Sequence, residues 1–233
     1  SLINSMGFPS KGSEFIVKKL KYISDRNRPL VLSVAGSTVD EYVKCFRLME
    51  PWADAIELNI SSPNTADLRV FQEVEPLRQL LGRINHGSRK PVFLKIPPYG
   101  NEEEKQKILE LVSLARIYGI DGITASNTRR ILDHRLKVGL GGISGKALYS
   151  DMLRIVKDVR NEIGDNMIIN ASGGIFNSDD AIQAFSCGAD TVQVYTGLIY
   201  EGFNVAKNIK SGIRKYLQLE GVNNVTDIKG SLP

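Results

Sequence analysis

The sequence is poor in the residues that build disulfide scaffolds and metal centres, with only two cysteines, Cys45 and Cys187, and two histidines, His86 and His134, among 233 residues. Both cysteines sit inside apolar helical patterns with no His or Cys at ligand spacing. They read as reduced core residues of a cytosolic protein. Neither histidine belongs to an HExxH pattern, and no metal is expected. No apolar run approaches the ~20 residues that span a bilayer, and residues 1–7 have neither the charged nor the apolar stretch of a signal peptide. Neither sign of charge dominates, since 30 Lys+Arg against 26 Asp+Glu leave +4. Basic clusters such as Lys18-Lys19 lack interleaved stacking aromatics, so nucleic acid is not an expected partner.

What is present is the profile of a soluble globular protein: 42% hydrophobic residues, 24% charged, 21 Gly and 9 Pro. This excludes collagen-like and disordered chains. No linker composition divides the chain, so residues 1–233 read as a single domain. Six β-branched-rich runs, at 30–34, 55–60, 92–96, 122–125, 167–170 and 191–195, have the length of buried parallel strands. Each is followed by a helical pattern, such as the stripe Ile108, Leu111, Val112, Ala115 or the stripe Leu148, Met152, Ile155, Val156, Val159. Asn101 and Ser178, each before acidic residues, read as helix caps. Strands alternating with helices mean a parallel α/β fold. An amphipathic segment at 15–23 precedes the first strand without a strand of its own. If the fold closes as a TIM (β/α)8 barrel, six of eight strands are present and two are missing from the N-terminus.

In such a barrel the reactive groups lie at the C-terminal ends of the strands. The unusual polar residues fall there: Asn59 with Ser61-Ser62-Pro63-Asn64-Thr65, Lys95 with Pro97-Pro98-Tyr99, Ser126-Asn127-Thr128, Ser172-Gly173-Gly174 and Tyr195-Thr196-Gly197. The last two are phosphate-site candidates, because glycines let backbone N–H groups approach an anion. Asn4, Asn59, Asn64 and Asn127 offer the paired donor and acceptor that a planar ligand with amides and carbonyls requires. For each asparagine singly, turn formation or helix capping competes with that role. Lys95 reads either as a surface-paired lysine or as a cation facing an anionic cofactor.

At these residues the sequence resembles the dihydroorotate dehydrogenases, FMN-dependent enzymes of pyrimidine (UMP) biosynthesis. The resemblance runs through Ile3-Asn4-Ser5-Met6-Gly7-Phe8, Ser33-Val34-Ala35-Gly36, Glu57-Leu58-Asn59-Ile60-Ser61-Ser62-Pro63-Asn64-Thr65, Lys95-Ile96-Pro97-Pro98-Tyr99, Ser126-Asn127-Thr128, Gly141-Gly142-Ile143-Ser144-Gly145, Gly173-Gly174-Ile175 and Tyr195-Thr196-Gly197. It implies that Asn4, Asn59, Asn64 and Asn127 bind the pyrimidine, with Thr128 and the Met6-Gly7-Phe8 turn helping. It also implies that Lys95, Ser126, Gly145, Gly173, Gly174, Tyr195 and Thr196 hold FMN, the last four around its phosphate, and that Asn59 touches both ligands. Ser62 would be the base that removes the C5 proton of dihydroorotate while C6 gives a hydride to flavin N5. A serine needs a closed, desolvated site to act in this way, and residues 64–69 are the natural place for a lid.

The subclass signals conflict. Ser62 matches the membrane-linked, quinone-using class 2 and a serine-containing minority of class 1, whose usual base is cysteine, whereas Ser33 to Gly36, Lys95 to Tyr99 and the tail from Val225 to Gly230 look like the soluble class 1. The reading favoured by the motifs is class 1-like with a serine base, in the cytoplasm, as a homodimer by resemblance. The electron acceptor is left open among quinone, fumarate and NAD through a partner subunit. The family's opening strands, which carry further flavin contacts, have no match here. Two alternatives stand beside dihydroorotate oxidation: a flavin barrel acting on another reduced pyrimidine, and an inactive truncated product.

Overall fold

The computed structural model describes residues 1–23, 27–63, 66–85 and 90–231. In chain order, β1 (Leu2–Asn4) and α1 (Ser13–Leu20) precede β2 (Val31–Val34), α2 (Val39–Met49), β3 (Ala55–Asn59), α3 (Val74–Asn85), β4 (Val92–Ile96), α4 (Glu102–Ile117) and β5 (Gly122–Ala125). A hairpin of β6 (Arg129–Leu132) and β7 (Leu140–Ser144) interrupts the alternation. Then follow α5 (Tyr149–Ile163), β8 (Ile168–Ser172), α6 (Ser178–Ser186), β9 (Thr191–Gln193), α7 (Thr196–Glu201) and α8 (Val205–Glu220).

The six expected strands form one parallel sheet in the order β2-β3-β4-β5-β8-β9, curled into part of a TIM barrel. Strands β2 and β9 are its edges. The alternation along each strand sorts side chains to two faces. Ile56, Leu58 and Ile60 from the β3 segment, Val92, Leu94 and Ile96 from β4, Ile123 and Ala125 from β5, and Ile169 and Ala171 from β8 are buried in the core with the helices. That helix-facing layer contains the apolar stripe of α4 (Ile108, Leu111, Val112, Ala115) and that of α5 (Met152, Ile155, Val156, Val159). Because Leu94 is fully buried at the centre of this layer, Leu94→Ala is expected to cost about 2–5 kcal/mol of stability. Chemical denaturation measures it, and a loss well under that range would mean that the layer is loosely packed.

The opposite face is different in kind. The parallel register sets Asn59, Lys95, Thr124, Asn170 and Thr191 side by side in one row across five strands. A barrel interior is ordinarily filled by branched aliphatic residues. Here the row is polar, and Asn170 donates from Nδ2 to Thr124 Oγ1 (3.3 Å) while accepting from the Thr191 hydroxyl.

The cap expected at Ser178 lies one residue earlier: Asn177 is the N-cap of α6, its side chain accepting from the Asp180 N–H, and Ser178 is the first helical residue. Adjacent hydroxyl and amide side chains compete for such a position. Asn101 caps α4 as expected, accepting from the Glu104 N–H. The 15–23 segment appears as α1. Among the described residues no helix is long and apolar enough to cross a membrane. Cys45 and Cys187 are free and half-buried, and burial raises the pKa of both thiols. His134 is exposed, and His86 lies outside the described residues.

Candidate active site

The loops that leave the C-terminal ends of the strands are joined by a second, antiparallel sheet of order β1-β7-β6. Strand β7 pairs Leu2, Ile3 and Asn4 on one side and residues 129–132 on the other, so Asn4 and Arg130 flank Gly142 in one row. Glycine is required there. A Cβ on Gly142 would lie 2.8 Å from Thr128 Cβ and 3.2 Å from Pro63 Cγ, and one on Gly141 would lie 3.0 Å from the carbonyl carbon of Asn4. Strand β7 thus draws together the loop after β3, the loop after β5 and the opening strand. Gly142→Ala is expected to destabilise the fold by about 1–3 kcal/mol through overpacking, read as a lowered melting temperature. An unchanged melt would show that Thr128 and Pro63 are not held against the strand.

Next to Pro63 lies Ser62, buried in the turn that follows β3. A chain of hydrogen bonds crosses from this turn to the loop after β5. Ser61 donates from both its N–H (3.1 Å) and its hydroxyl (2.7 Å) to Asn59 Oδ1. Asn127 Nδ2 donates to the Ser61 hydroxyl (2.9 Å), and the Thr128 N–H donates to Asn127 Oδ1 (2.7 Å). Asn59, Asn127 and Thr128 are therefore one unit. Asn4 is tied to β7 by a long Nδ2 contact to the Gly142 carbonyl (3.5 Å) and accepts from the Met6 N–H (3.1 Å).

Beside this unit opens a cleft of about 160 Å³. Lys95, Ser126, Asn127, Thr128, Gly145 and Gly174 are among its lining residues. So are Gly173, Tyr195 and Thr196, which means that the cleft gathers every expected cofactor residue except Asn59. Asn59 instead turns its carbonyl oxygen to Ser61. Tyr195 lies at the rim and is 74% exposed. The peptide between Ala125 and Ser126, at the cleft wall, is cis.

The glycines at the far end make a close-fitting cradle. Gly145 and Gly174 have φ of +87° and +74°, and a Cβ on Gly174 would sit 2.8 Å from Tyr149 Cβ and 3.0 Å from the Gly145 carbonyl oxygen. A Cβ on Gly145 would meet Thr196 Cγ2 at 2.8 Å, and Thr196 donates to Ser144 Oγ (3.0 Å). Three loops thus meet closely around one hollow, two through backbone and the third through the Thr196 side chain. The Tyr149 phenol behind it is raised above its usual pKa, by burial first and by nearby Asp180 second, so it stays protonated.

A second cleft of about 380 Å³ reaches Ser62 beside Pro63, Arg69, Tyr99 and Arg130, and shares Thr128 with the first. Thr128 therefore stands between the two openings, and Ser62 faces the second. Of the segment expected as a lid, Asn64 and Thr65 lie outside the described residues. From residue 66 the chain forms a 3₁₀ segment, Ala66–Gln72, where Arg69 donates to the Pro63 carbonyl (3.3 Å) and Gln72 to that of Ile60 (2.8 Å). Met6 and Phe8 are exposed, Gly7 faces open space, and none of the three lines the first cleft.

Residues without an assigned role in the sequence reading also line the cleft: Ser144, Leu148, Ile175 and Gln193. Gln193 had a signal, since it stands level with Ser172 on the neighbouring strand end. Ser144 belongs to the Gly141–Gly145 stretch of the resemblance, but its place in the cleft comes from the antiparallel sheet.

The fold and the site together define a β/α-barrel protein with a glycine-cradled cleft at the C-terminal ends of its strands. Residues 1–217 match the family model described as dihydroorotate dehydrogenase. The chain is 35% identical over 249 residues to a dihydroorotate dehydrogenase (quinone) of Coxiella burnetii, covering 96% of this chain and 69% of that protein. It is 30% identical over 238 residues to one of Thermus thermophilus, covering 98% and 68%. Among solved structures, a ligand-free dihydroorotate dehydrogenase from Eimeria tenella superposes with a TM-score of 0.86 at 28% identity, covering 98% of this chain and 73% of that one. The chain belongs to the dihydroorotate dehydrogenase family and is an oxidoreductase. These relatives carry the quinone-type name, which runs against the class 1-like lean of the motifs around Ser33 and Lys95.

Proposed function

We propose that this protein oxidises dihydroorotate to orotate, with FMN in the first cleft, Ser62 as the base and a quinone as the acceptor. The observation that carries the reading is that Asn127 and Thr128, which line the glycine-cradled cleft, belong to one hydrogen-bonded network with Asn59 and Ser61, the residue next to buried Ser62. The chemistry of the lining residues supports a flavin mononucleotide in the cleft. Gly145, Gly173 and Gly174 line the cleft at positions where a Cβ would crowd Thr196, Met152 and Tyr149, and bare backbone of this kind suits a phosphate. Lys95 in the same cleft offers a positive charge for the ring system, and Ser126 a hydroxyl. When bound, FMN supplies the hydride acceptor.

The remaining chemistry belongs to the chain. Asn127 and Asn59, joined through Ser61, present fixed amide groups to the pyrimidine, with Asn4 and Asn64 as further contacts. Ser62 takes the proton from C5 as the hydride leaves C6, so a C–C single bond of the ring becomes the double bond of orotate. Burial keeps bulk water from Ser62, and the second cleft gives the proton a route to solvent. Tyr99, which shares that second cleft, does not compete as a base, because burial and its hydrogen bond to Asp158 raise its pKa. The quinone assignment rests on the names of the relatives. It is tested by offering purified, FMN-loaded protein dihydroorotate with a soluble quinone, fumarate or NAD in turn. Turnover with the quinone is expected, and turnover with fumarate or NAD alone would overturn the acceptor assignment.

A further inference from the structure

Glu57 is a buried carboxylate that the functional reading leaves unused. It lies two residues before Asn59 on β3, so both side chains are on the barrel-interior face. It is 5% exposed. Its Oε1 accepts a hydrogen bond from the Ser33 hydroxyl (3.0 Å) and stands 3.6 Å from Lys95 Nζ, whose side chain is 18% exposed. A carboxylate is rarely buried to this degree unless it is paired. Most ion pairs among the described residues have at least one side chain about half exposed, where pairing is worth little. In the Glu57–Lys95 pair both side chains are largely buried instead, with Lys95 lining the cleft and Glu57 beneath it, level with Ser33 and Phe93 on the neighbouring strands.

We infer that Glu57 is a positioning residue for Lys95: its carboxylate holds the ammonium against the wall and balances part of its charge, so that Glu57 sets how strongly this cleft favours reduced over oxidised flavin. The inference rests on the FMN reading above. Reduction adds negative charge to the flavin ring, and a cation in a partly desolvated cleft stabilises that form. A carboxylate 3.6 Å behind the cation opposes this effect. Removing the carboxylate's charge while keeping its shape leaves Lys95 uncompensated, and the reduced flavin becomes favoured. Ser33 contributes by fixing the carboxylate orientation through its donated hydrogen bond.

The test is a double-mutant cycle on the flavin midpoint potential, measured by equilibrium reductive titration of the FMN-loaded protein with a reference dye, with no substrate present. In Glu57→Gln, tighter binding of reduced relative to oxidised FMN by about tenfold is expected. This corresponds to an upward shift of about 30 mV for a two-electron couple. Glu57→Asp, which keeps the charge, is expected to restore a value near that of the unaltered protein. In a Lys95→Met background the Glu57→Gln shift is expected to vanish. A Glu57→Gln protein that melts normally and keeps the original potential would overturn the inference, as would a shift that survives in the Lys95→Met background. Unaltered protein that takes up no FMN would overturn the functional reading and this inference together, whereas flavin uptake with an indifferent Glu57 removes the inference alone.

Discussion

Ser62→Ala is expected to slow reduction of the bound flavin by dihydroorotate by about 10²- to 10⁴-fold, the range in which a positioned general base contributes, while FMN stays bound. The split follows from the geometry. Ser62 is in the turn after β3 and lines the second cleft, and it is not among the residues lining the first. Losing its hydroxyl therefore removes the proton acceptor without touching the glycine cradle or Lys95. The comparison variant is Ser62→Cys. A thiol titrates near about 8.5, well below a serine hydroxyl, so its rate of flavin reduction is expected to reach a plateau at lower pH than that of the serine enzyme. Stopped-flow records of flavin bleaching across pH measure both. Rates for Ser62→Ala near those of the unaltered protein would remove Ser62 from the mechanism.

The second large effect is expected at the cradle. Gly174→Ala has no room: the new Cβ would lie 2.8 Å from Tyr149 Cβ and 2.9 Å from Tyr149 Cα, and the backbone there has φ +74°. The Tyr149 contact includes the backbone of α5, which cannot swing aside as a flexible side-chain tip would. Relief has to come from the loop itself, which opens the hollow between Gly145, Gly174 and Thr196. Overpacking of this kind costs about 1–3 kcal/mol, and each 1.4 kcal/mol is tenfold in affinity. FMN affinity is accordingly expected to fall by roughly tenfold to a hundredfold, measured by fluorescence titration of the flavin. Circular dichroism distinguishes this from unfolding, because a local shift of the cradle loop leaves the helices and the parallel sheet formed. Retained FMN affinity would mean that the anion is held elsewhere.

How much of this was legible in the sequence depends on the range of the contacts involved. The parallel strands were readable because each is a short run of apolar, β-branched-rich residues followed by a helical pattern, and β4 and β5 fall at the boundaries that the pattern marks. The clustering of polar residues at strand ends was likewise readable, since it follows from the strands once they are placed. The antiparallel sheet was not. Strand β1 has three residues, β7 contains Gly141-Gly142, which reads as a turn, and β6 opens with two exposed arginines. Their pairing joins residues far apart in the chain, such as Asn4 and Gly142, and no local signal encodes it. The same limit hid the place of Ser144 in the cleft. Glu57 escaped for a different reason: inside an apolar strand a single carboxylate carries no periodic signature, and its role appears only when β4 places Lys95 beside it. The Met6-Gly7-Phe8 turn was singled out by resemblance, and the structure leaves it at the surface, away from the first cleft.

The most direct measurement of dihydroorotate oxidation at this site is anaerobic mixing of the FMN-loaded protein with dihydroorotate in a single turnover, following the flavin absorbance and the formation of orotate together. Loss of the oxidised flavin band is expected, with one orotate formed per flavin reduced. A stable oxidised flavin in the presence of dihydroorotate, or bleaching without orotate, would contradict the proposed function.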